Sequence, residues 1–275
     1  QPPASSLQPP ASSLQPPACP SMHLKLTISY DGSHFSGWQS QCHGKTVQDI
    51  LENAFAEIAG RRIVVHGASR TDAGVHALAQ VAHVALGEVS QKMSLPERWL
   101  VALNASLPPY VRILRVQQAS GTFHARFCAQ SKIYRYRLWH DDTLPPLLYQ
   151  RAWQIHGPLD LSLLEKISST LIGTHDFRGF TAKSGAAREN TIRTLHSLKI
   201  ARRGKEISLV FHGNGFLYHM VRMLVGSMVH VARGKMSSDT FLKRLDDAKP
   251  PVAPRTAPAE GLYLVKIFYK SNKSC

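Results

Sequence analysis

The hydrophobic period of this chain changes from that of a strand to that of a helix and back, and it does so twice. Leu24, Leu26, Ile28 and Tyr30 alternate with Lys25, Thr27 and Ser29, which predicts a half-buried strand. Val47, Ile50, Leu51, Ala54, Phe55 and Ile58 then fall on one helix face, opened by the capping box Thr46-x-x-Asp49 and closed by Gly60. Strand-like runs follow at Arg61–His66 and Ala79–Leu86. Ser94-x-x-Glu97 caps a second helix reaching about Ala105, and Val111–Gln117 is another strand. The second half repeats this grammar. A long strand is expected at Arg126–His140, a helix at Leu161–Ile172, and strands at Ile192–Ala201 and Glu206–His212. Helices at Phe216–Arg233 and Ser238–Ala248 and a closing strand at Leu262–Tyr269 complete it. Such a chain buries its helices against a sheet, so the expected class is α+β, with two halves able to share one sheet.

Composition narrows the partners. Of 275 residues 43% are hydrophobic, enough for one or two domains. Lys and Arg number 33 against 18 Asp and Glu, a formal charge of +15 that is spread along the chain and points to a polyanion, most often nucleic acid. Cysteines stand at 19, 42, 128 and 275 without a C-x-x-C pair. That spacing is neither a disulfide framework nor a zinc site, and it fits a reducing, cytoplasmic setting. No apolar run is long enough for a membrane span. Gln-Pro-Pro-Ala-Ser-Ser-Leu at 1–7 repeats at 8–14 and begins again at 15, and residues 1–21 contain no Lys, Arg, Asp or Glu. The segment lacks the basic start and apolar core of a signal peptide and the arginines of a transit segment. A disordered, Pro-rich appendage is expected there, with a short tail at 271–275.

Between two expected strands lies Gly67-Ala-Ser-Arg-Thr-Asp-Ala-Gly-Val-His-Ala77. A lone Asp72 on a tight loop of small residues is where a fold can expose a nucleophile or a base. It is also where an ordinary surface turn places an Asp. Asp72 and His76 are four apart, but on a Gly-containing loop with no third ligand nearby, so a metal site is not expected. There is no H-E-x-x-H, P-loop or G-x-G-x-x-G motif, and no nucleophile elbow for a Ser or Cys. A non-catalytic RNA-binding protein with RRM-like halves is the main alternative. It lacks an RNP1-like aromatic motif and gives no reason for an Arg-Thr-Asp loop.

Arg70-Thr-Asp-Ala-Gly-Val-His-Ala77 resembles the signature of the TruA family of tRNA pseudouridine synthases. Tyr30-Asp-Gly-x-x-Phe-x-Gly-Trp-Gln39 resembles the family's opening motif, and Phe123-His-Ala-Arg-Phe-Cys-Ala129 with Tyr134-Arg-Tyr136 its central strand. His175-Asp-Phe177, Asn214-Gly-Phe-Leu-Tyr-His-Met-Val-Arg-Met223 and Thr256-Ala-Pro-Ala-Glu-Gly-Leu-Tyr-Leu264 follow in order, so the likeness covers roughly 22–270. The repeat at 1–21 belongs to none of these motifs.

The resemblance implies two RRM- or ferredoxin-like α+β subdomains, 22–118 and 119–270. They share a mixed, largely antiparallel sheet with a basic central cleft. It implies isomerisation of uridine to pseudouridine at positions 38, 39 and 40 of the tRNA anticodon arm, without cofactor or metal, by a cytoplasmic homodimer. Asp72 takes the role of the catalytic carboxylate. A carboxylate can trap an electron-poor anomeric carbon or remove a sugar proton, and the sequence leaves both routes open. Ionised in a dry site, it needs a cationic partner, and by resemblance this is Arg222. Tyr134 is the active-site tyrosine, able to stack on uracil and to accept the C5 proton. Tyr136 shares its strand face and is the competing assignment. Leu262 supplies an apolar contact to the base, and Arg70 fills the space left by the flipped nucleotide. Arg126, Lys132, Arg135, Arg178, Lys183, Arg188 and Arg193 are unranked candidates for phosphate contacts.

Overall fold

The computed structural model describes residues 22–182, 190–246 and 256–270. The segments 1–21 and 271–275, together with Lys183, Arg188 and the last residues of the helix expected at 238–248, lie outside the described residues. In chain order the first half runs β1 (Met22–Tyr30), α1 (Val47–Ala59), β2 (His66–Gly67), β3 (His76–Gly87), α2 (Pro96–Ser106) and β4 (Val111–Gln118). The second runs β5 (Ala129–His140), β6 (Trp153–Ile155), α3 (Leu161–Thr170), β7 (Gly173–Asp176), β8 (Ile192–Arg203), β9 (Glu206–Gly213), α4 (Met220–Ala232), α5 (Ser238–Asp246) and β10 (Leu262–Tyr269).

The ten strands among the described residues form one mixed sheet with the central order β4-β1-β3-β10-β5-β9-β8-β7, β2 pairing with β3 and β6 with β5. The β4-β1-β3-β2 part and the β10-β5-β9-β8 part each have the antiparallel βαββαβ order of a ferredoxin-like unit. The two units meet where β3 and β10 run parallel over Tyr263↔His76 and Leu264↔Ala77. The outer end of β3 pairs instead with β2, at His66↔His83 and Gly67↔Ala82. β3 is therefore forked along one edge, and residues 68–75 leave the sheet at the fork. That is how the loop carrying Asp72 comes to the centre of the molecule.

Local rules account for most elements. Thr46 caps α1 by accepting from the Asp49 N–H, and Gly60 ends it in the left-handed conformation at φ 68°. Leu24, Leu26 and Ile28 of β1 and Leu51 and Phe55 of α1 lie in one buried core, which removes their apolar surface from water.

Several expectations need correction. The strand expected at Arg61–His66 is a ladder only at His66–Gly67. Ile63 and Val65 alternate into the core, but the Val65 N–H donates to the Glu52 carboxylate of α1 rather than to a strand (3.1 Å). Periodicity reports burial, and burial without a ladder partner is not a strand. β5 begins at Ala129 rather than Arg126, because the Arg126 and Phe127 N–H groups donate to His124 Nδ1 in a turn. α2 starts at Pro96, and Ser94 bonds back to the Gln91 carbonyl instead of capping the helix. α4 starts at Met220, not Phe216. β6 and β7 have no counterpart among the expected strands. Cys42 is free and exposed, and Cys19 and Cys275 lie outside the described residues. Among the described residues no helix is long and apolar enough to cross a membrane.

Candidate active site

The opening loop builds the floor under Asp72. Gly32 lies so close to the backbone of the Asp72 loop that a Cβ there would stand 2.1 Å from the Val75 carbonyl oxygen. Gly37 adopts φ +100°, open to glycine at little cost, with the Thr71 carbonyl 2.9 Å from where a Cβ would be. The Trp38 N–H donates to that same carbonyl (3.0 Å), and the Tyr30 hydroxyl pairs with Thr71 Oγ1 (2.8 Å). One side of the loop is thus held by segments that precede it in the chain.

On its other side the loop is tied by Gln80 of β3, a fully buried amide. Gln80 Oε1 accepts from the Ser69 N–H (3.2 Å) and Gln80 Nε2 donates to the Ser69 carbonyl (2.7 Å). One side chain thereby replaces the strand partner that Ser69 lacks, as buried backbone groups require.

Asp72 faces α4. Its Oδ2 accepts from Arg222 Nη1 at 3.0 Å, and His219 Nε2 lies 3.3 Å from the same oxygen. Among the described residues Asp72 Oδ1 takes no hydrogen bond. The three side chains are largely enclosed, with 15% of Asp72, 16% of Arg222 and 22% of His219 exposed, which strengthens their electrostatic coupling relative to water. Arg222 Nε donates to the Ala257 carbonyl (2.8 Å), so the guanidinium is fixed at both ends. Burial and the Arg222 guanidinium push the His219 imidazole below its usual range, against the opposing pull of Asp72. His219 itself has φ +60° at the start of α4, an uncommon conformation for a non-glycine residue. The expected helix from Phe216 fails for this reason. Residues 214–219 turn before the helix begins, and the turn brings His219 and Arg222 side by side onto the carboxylate.

Asp72 opens into a cavity of about 880 Å³. Its lining includes Arg70, Lys132, Tyr134, Arg222 and Leu262, so the expected site residues converge. Tyr134 is buried edge-on to Phe216, and its hydroxyl pairs with Ser69 Oγ (2.8 Å). Burial pushes its phenol up to about 12, with the Ser69 bond opposing and the Asp72 charge adding to the rise. Tyr136 is absent from the lining and spends its hydroxyl on the Pro258 carbonyl (2.7 Å). Of the two tyrosines, Tyr134 is the one that lines the cavity. Arg70 is exposed at the cavity and makes no hydrogen bond or ion pair among the described residues. Leu262, at the first position of β10, is buried.

The phosphate candidates separate. Arg126, Lys132 and Arg193 line the cavity. Arg135 lies on the other face of β5, over the Tyr263 ring, and Arg178 is paired with Asp176. His76 is structural: its Nδ1 accepts from the Gly32 N–H, Nε2 meets the Gln150 carbonyl, and its ring stacks on Tyr263. Among the described residues no three His, Cys, Asp or Glu side chains converge to hold a metal ion.

Residues 26–128 and 167–270 match the family model described as tRNA pseudouridine synthase. The chain belongs to the tRNA pseudouridine synthase family. It is 39% identical over 247 residues to tRNA pseudouridine synthase A of Acetivibrio thermocellus, covering 90% of this chain and 99% of the relative. It is 38% identical to the protein of the same name from a Thermoanaerobacter species, with the same coverage. A third relative of that name, from Aromatoleum aromaticum, is 39% identical over 92% of this chain and 94% of its own length.

Within this family framework, sequence reasoning missed His219, Ser69 and Gln80 at the site. His219 stands three residues before Arg222, a helical spacing that places both on one side, and that was its available signal. Ser69 and Gln80 carry no such mark. Their roles depend on the fork in β3.

Proposed function

We propose that the chain isomerises uridine to pseudouridine in tRNA, at positions 38, 39 and 40 of the anticodon arm, with Asp72 as the acting carboxylate. The observation that carries this reading is the Asp72–Arg222 contact at the head of a cavity lined by Tyr134 and Leu262. Arg222 and His219 both engage Oδ2, so Oδ1 faces the reacting sugar. Attack of that oxygen on C1′, or removal of a ribose proton by it, both break the N1–C1′ bond. The freed uracil rotates between Tyr134 and Leu262, and C5 joins C1′. Isomerisation conserves atoms and electrons, so the chemistry calls for no redox or group-transfer cofactor. Arg70 occupies the space the flipped nucleotide leaves in the stem. A tRNA substrate implies a cytoplasmic site of action, and a homodimer is the working unit expected of this family.

The test is Asp72→Asn, assayed by tritium release from 5-labelled uridine in tRNA. A loss on the order of 10⁴ is expected, with tRNA affinity and melting temperature retained. Activity within about tenfold of the unaltered protein would remove Asp72 from the chemistry.

A further inference from the structure

Lys132 lies two residues before Tyr134 on β5, so both side chains point to the same face of the sheet. Its Nζ donates to the Ala68 carbonyl at 2.8 Å and lies 3.3 Å from Ser69 Oγ. Ser69 Oγ in turn pairs with the Tyr134 hydroxyl at 2.8 Å. Among the described residues Lys132 has no carboxylate partner. A half-buried amine next to two guanidinium groups, joined through one hydroxyl to the tyrosine of the cavity, is an unusual use of a lysine.

We propose that Lys132, Ser69 and Tyr134 form a proton relay that removes the C5 proton after the new carbon–carbon bond has formed. This rests on the reading above, in which Tyr134 meets the base. In the relay the C5–H bond breaks and its proton passes to the Tyr134 oxygen. Tyr134 gives its own proton to Ser69 Oγ, and Ser69 gives its proton to Lys132 Nζ. The electron pair of the C5–H bond forms the C5=C6 double bond, and the C6=N1 pair takes up a proton at N1 from solvent. One proton leaves the base and one returns, and Lys132 releases its proton to the water of the cavity. Lys132 never touches the base; it acts through Tyr134 and is a positioning and proton-accepting residue.

The electrostatics suit this direction of transfer. Burial, then the Arg126 and Arg193 charges, lower the Lys132 ammonium to about 8. As an ammonium, Lys132 donates to both the Ala68 carbonyl and Ser69 Oγ; once deprotonated for the relay, it keeps the bond to Ala68 and accepts from Ser69. Tyr134, held near 12, is a poor base alone at neutral pH, and a relay spares it from ionising. The charged and titratable groups around the amine are Arg126 before β5, Arg193 on β8, Tyr134 on its own strand, and Asp72 and His219 across the cavity. Burial and the Arg222 charge hold His219 below its usual range, against the pull of Asp72.

The relay and a purely structural cation make opposite predictions for Lys132→Arg. An arginine preserves the charge but cannot accept a proton. Single-turnover tritium release on saturating enzyme is expected to fall about 100-fold or more in Lys132→Arg, with tRNA affinity and melting temperature close to those of the unaltered protein. Ser69→Ala, which leaves the Ala68 bond intact, is expected to fall in the same way. In the unaltered protein the rate should rise with pH and level off near the Lys132 value. Near-normal turnover in Lys132→Arg, or a flat profile between about pH 6 and 9 in the unaltered protein, would overturn the relay. The profile needs no variant, so a poorly folding substitution does not block the test. Asp72→Asn measured alongside separates failure of the relay from failure of the pseudouridine reading.

Discussion

At the scale of single residues, the site depends on direction more than on charge. Arg222 binds Asp72 Oδ2 through Nη1 and the Ala257 carbonyl through Nε, so one planar group spans two elements. A lysine at 222 keeps the positive charge and loses the second anchor. Arg222→Lys is therefore expected to lower tritium release by about 100-fold, because a carboxylate misplaced by an ångström loses its aim. Turnover within a few fold of normal would show that charge alone suffices. The glycines of the opening loop obey the same geometry. Gly32→Ala would drive a methyl into the Val75 carbonyl, so lower melting temperature and lower turnover are expected together, measured by thermal denaturation and tritium release. A variant as stable and active as the parent would mean that this approach is looser than the distances indicate.

At the scale of elements, the β2–β3 fork is both the support of the site and a source of acid sensitivity. His83 pairs with His66 across that ladder, and their rings and that of His124 cluster within 4.6–6.0 Å. Burial, then the neighbouring His124 and His66, lower the His83 imidazole to about 4. Its Nδ1 accepts from the Ala125 N–H (3.1 Å), a bond that protonation there would remove. A folded-state value below the unfolded one near 6.5 means that the unfolded chain takes up the proton first. The contribution is complete above about pH 6.5 and is lost progressively as pH falls towards 4. Melting temperature is expected to drop across that window, and His83→Gln to flatten the drop. An unchanged slope in the variant would assign the acid sensitivity elsewhere.

At the scale of the whole molecule, the +15 charge and the cationic cavity wall of Arg126, Lys132 and Arg193 make binding electrostatic. Residues 1–21 contribute none of that charge. If an anticodon arm meets on the order of five phosphate contacts, log affinity should fall with log salt at a slope near −4. A tRNA titration across a salt series, with free uridine as competitor, measures this. A slope near zero, or effective competition by uridine, would point to a small-molecule substrate.

The sequence by itself determined the elements whose signal is local. The period of β1, the Thr46 cap and Gly60 stop of α1, and the closing strand from Leu262 all stand where their patterns put them. The motifs also named Asp72, Arg222, Tyr134, Arg70 and Leu262, and the structure brings all five to one cavity. What the tertiary structure decided are the relations between distant segments. Asp72 and Arg222 are 150 residues apart, and no local period encodes their contact. Phe216, Leu217 and Tyr218 lead straight into the apolar run of α4, so nothing in the pattern marked a helix that starts at Met220 or the turn that aims His219. Tyr134 and Tyr136 share a strand face, and in the folded chain the Tyr136 hydroxyl donates to the Pro258 carbonyl while Tyr134 lines the cavity. Gln80 reads as one polar residue in a strand until the fork in β3 gives it a loop to hold. Side-chain periodicity reports which surface an element buries. Which elements then meet is settled by strand order and loop closure, and those are properties of the folded chain.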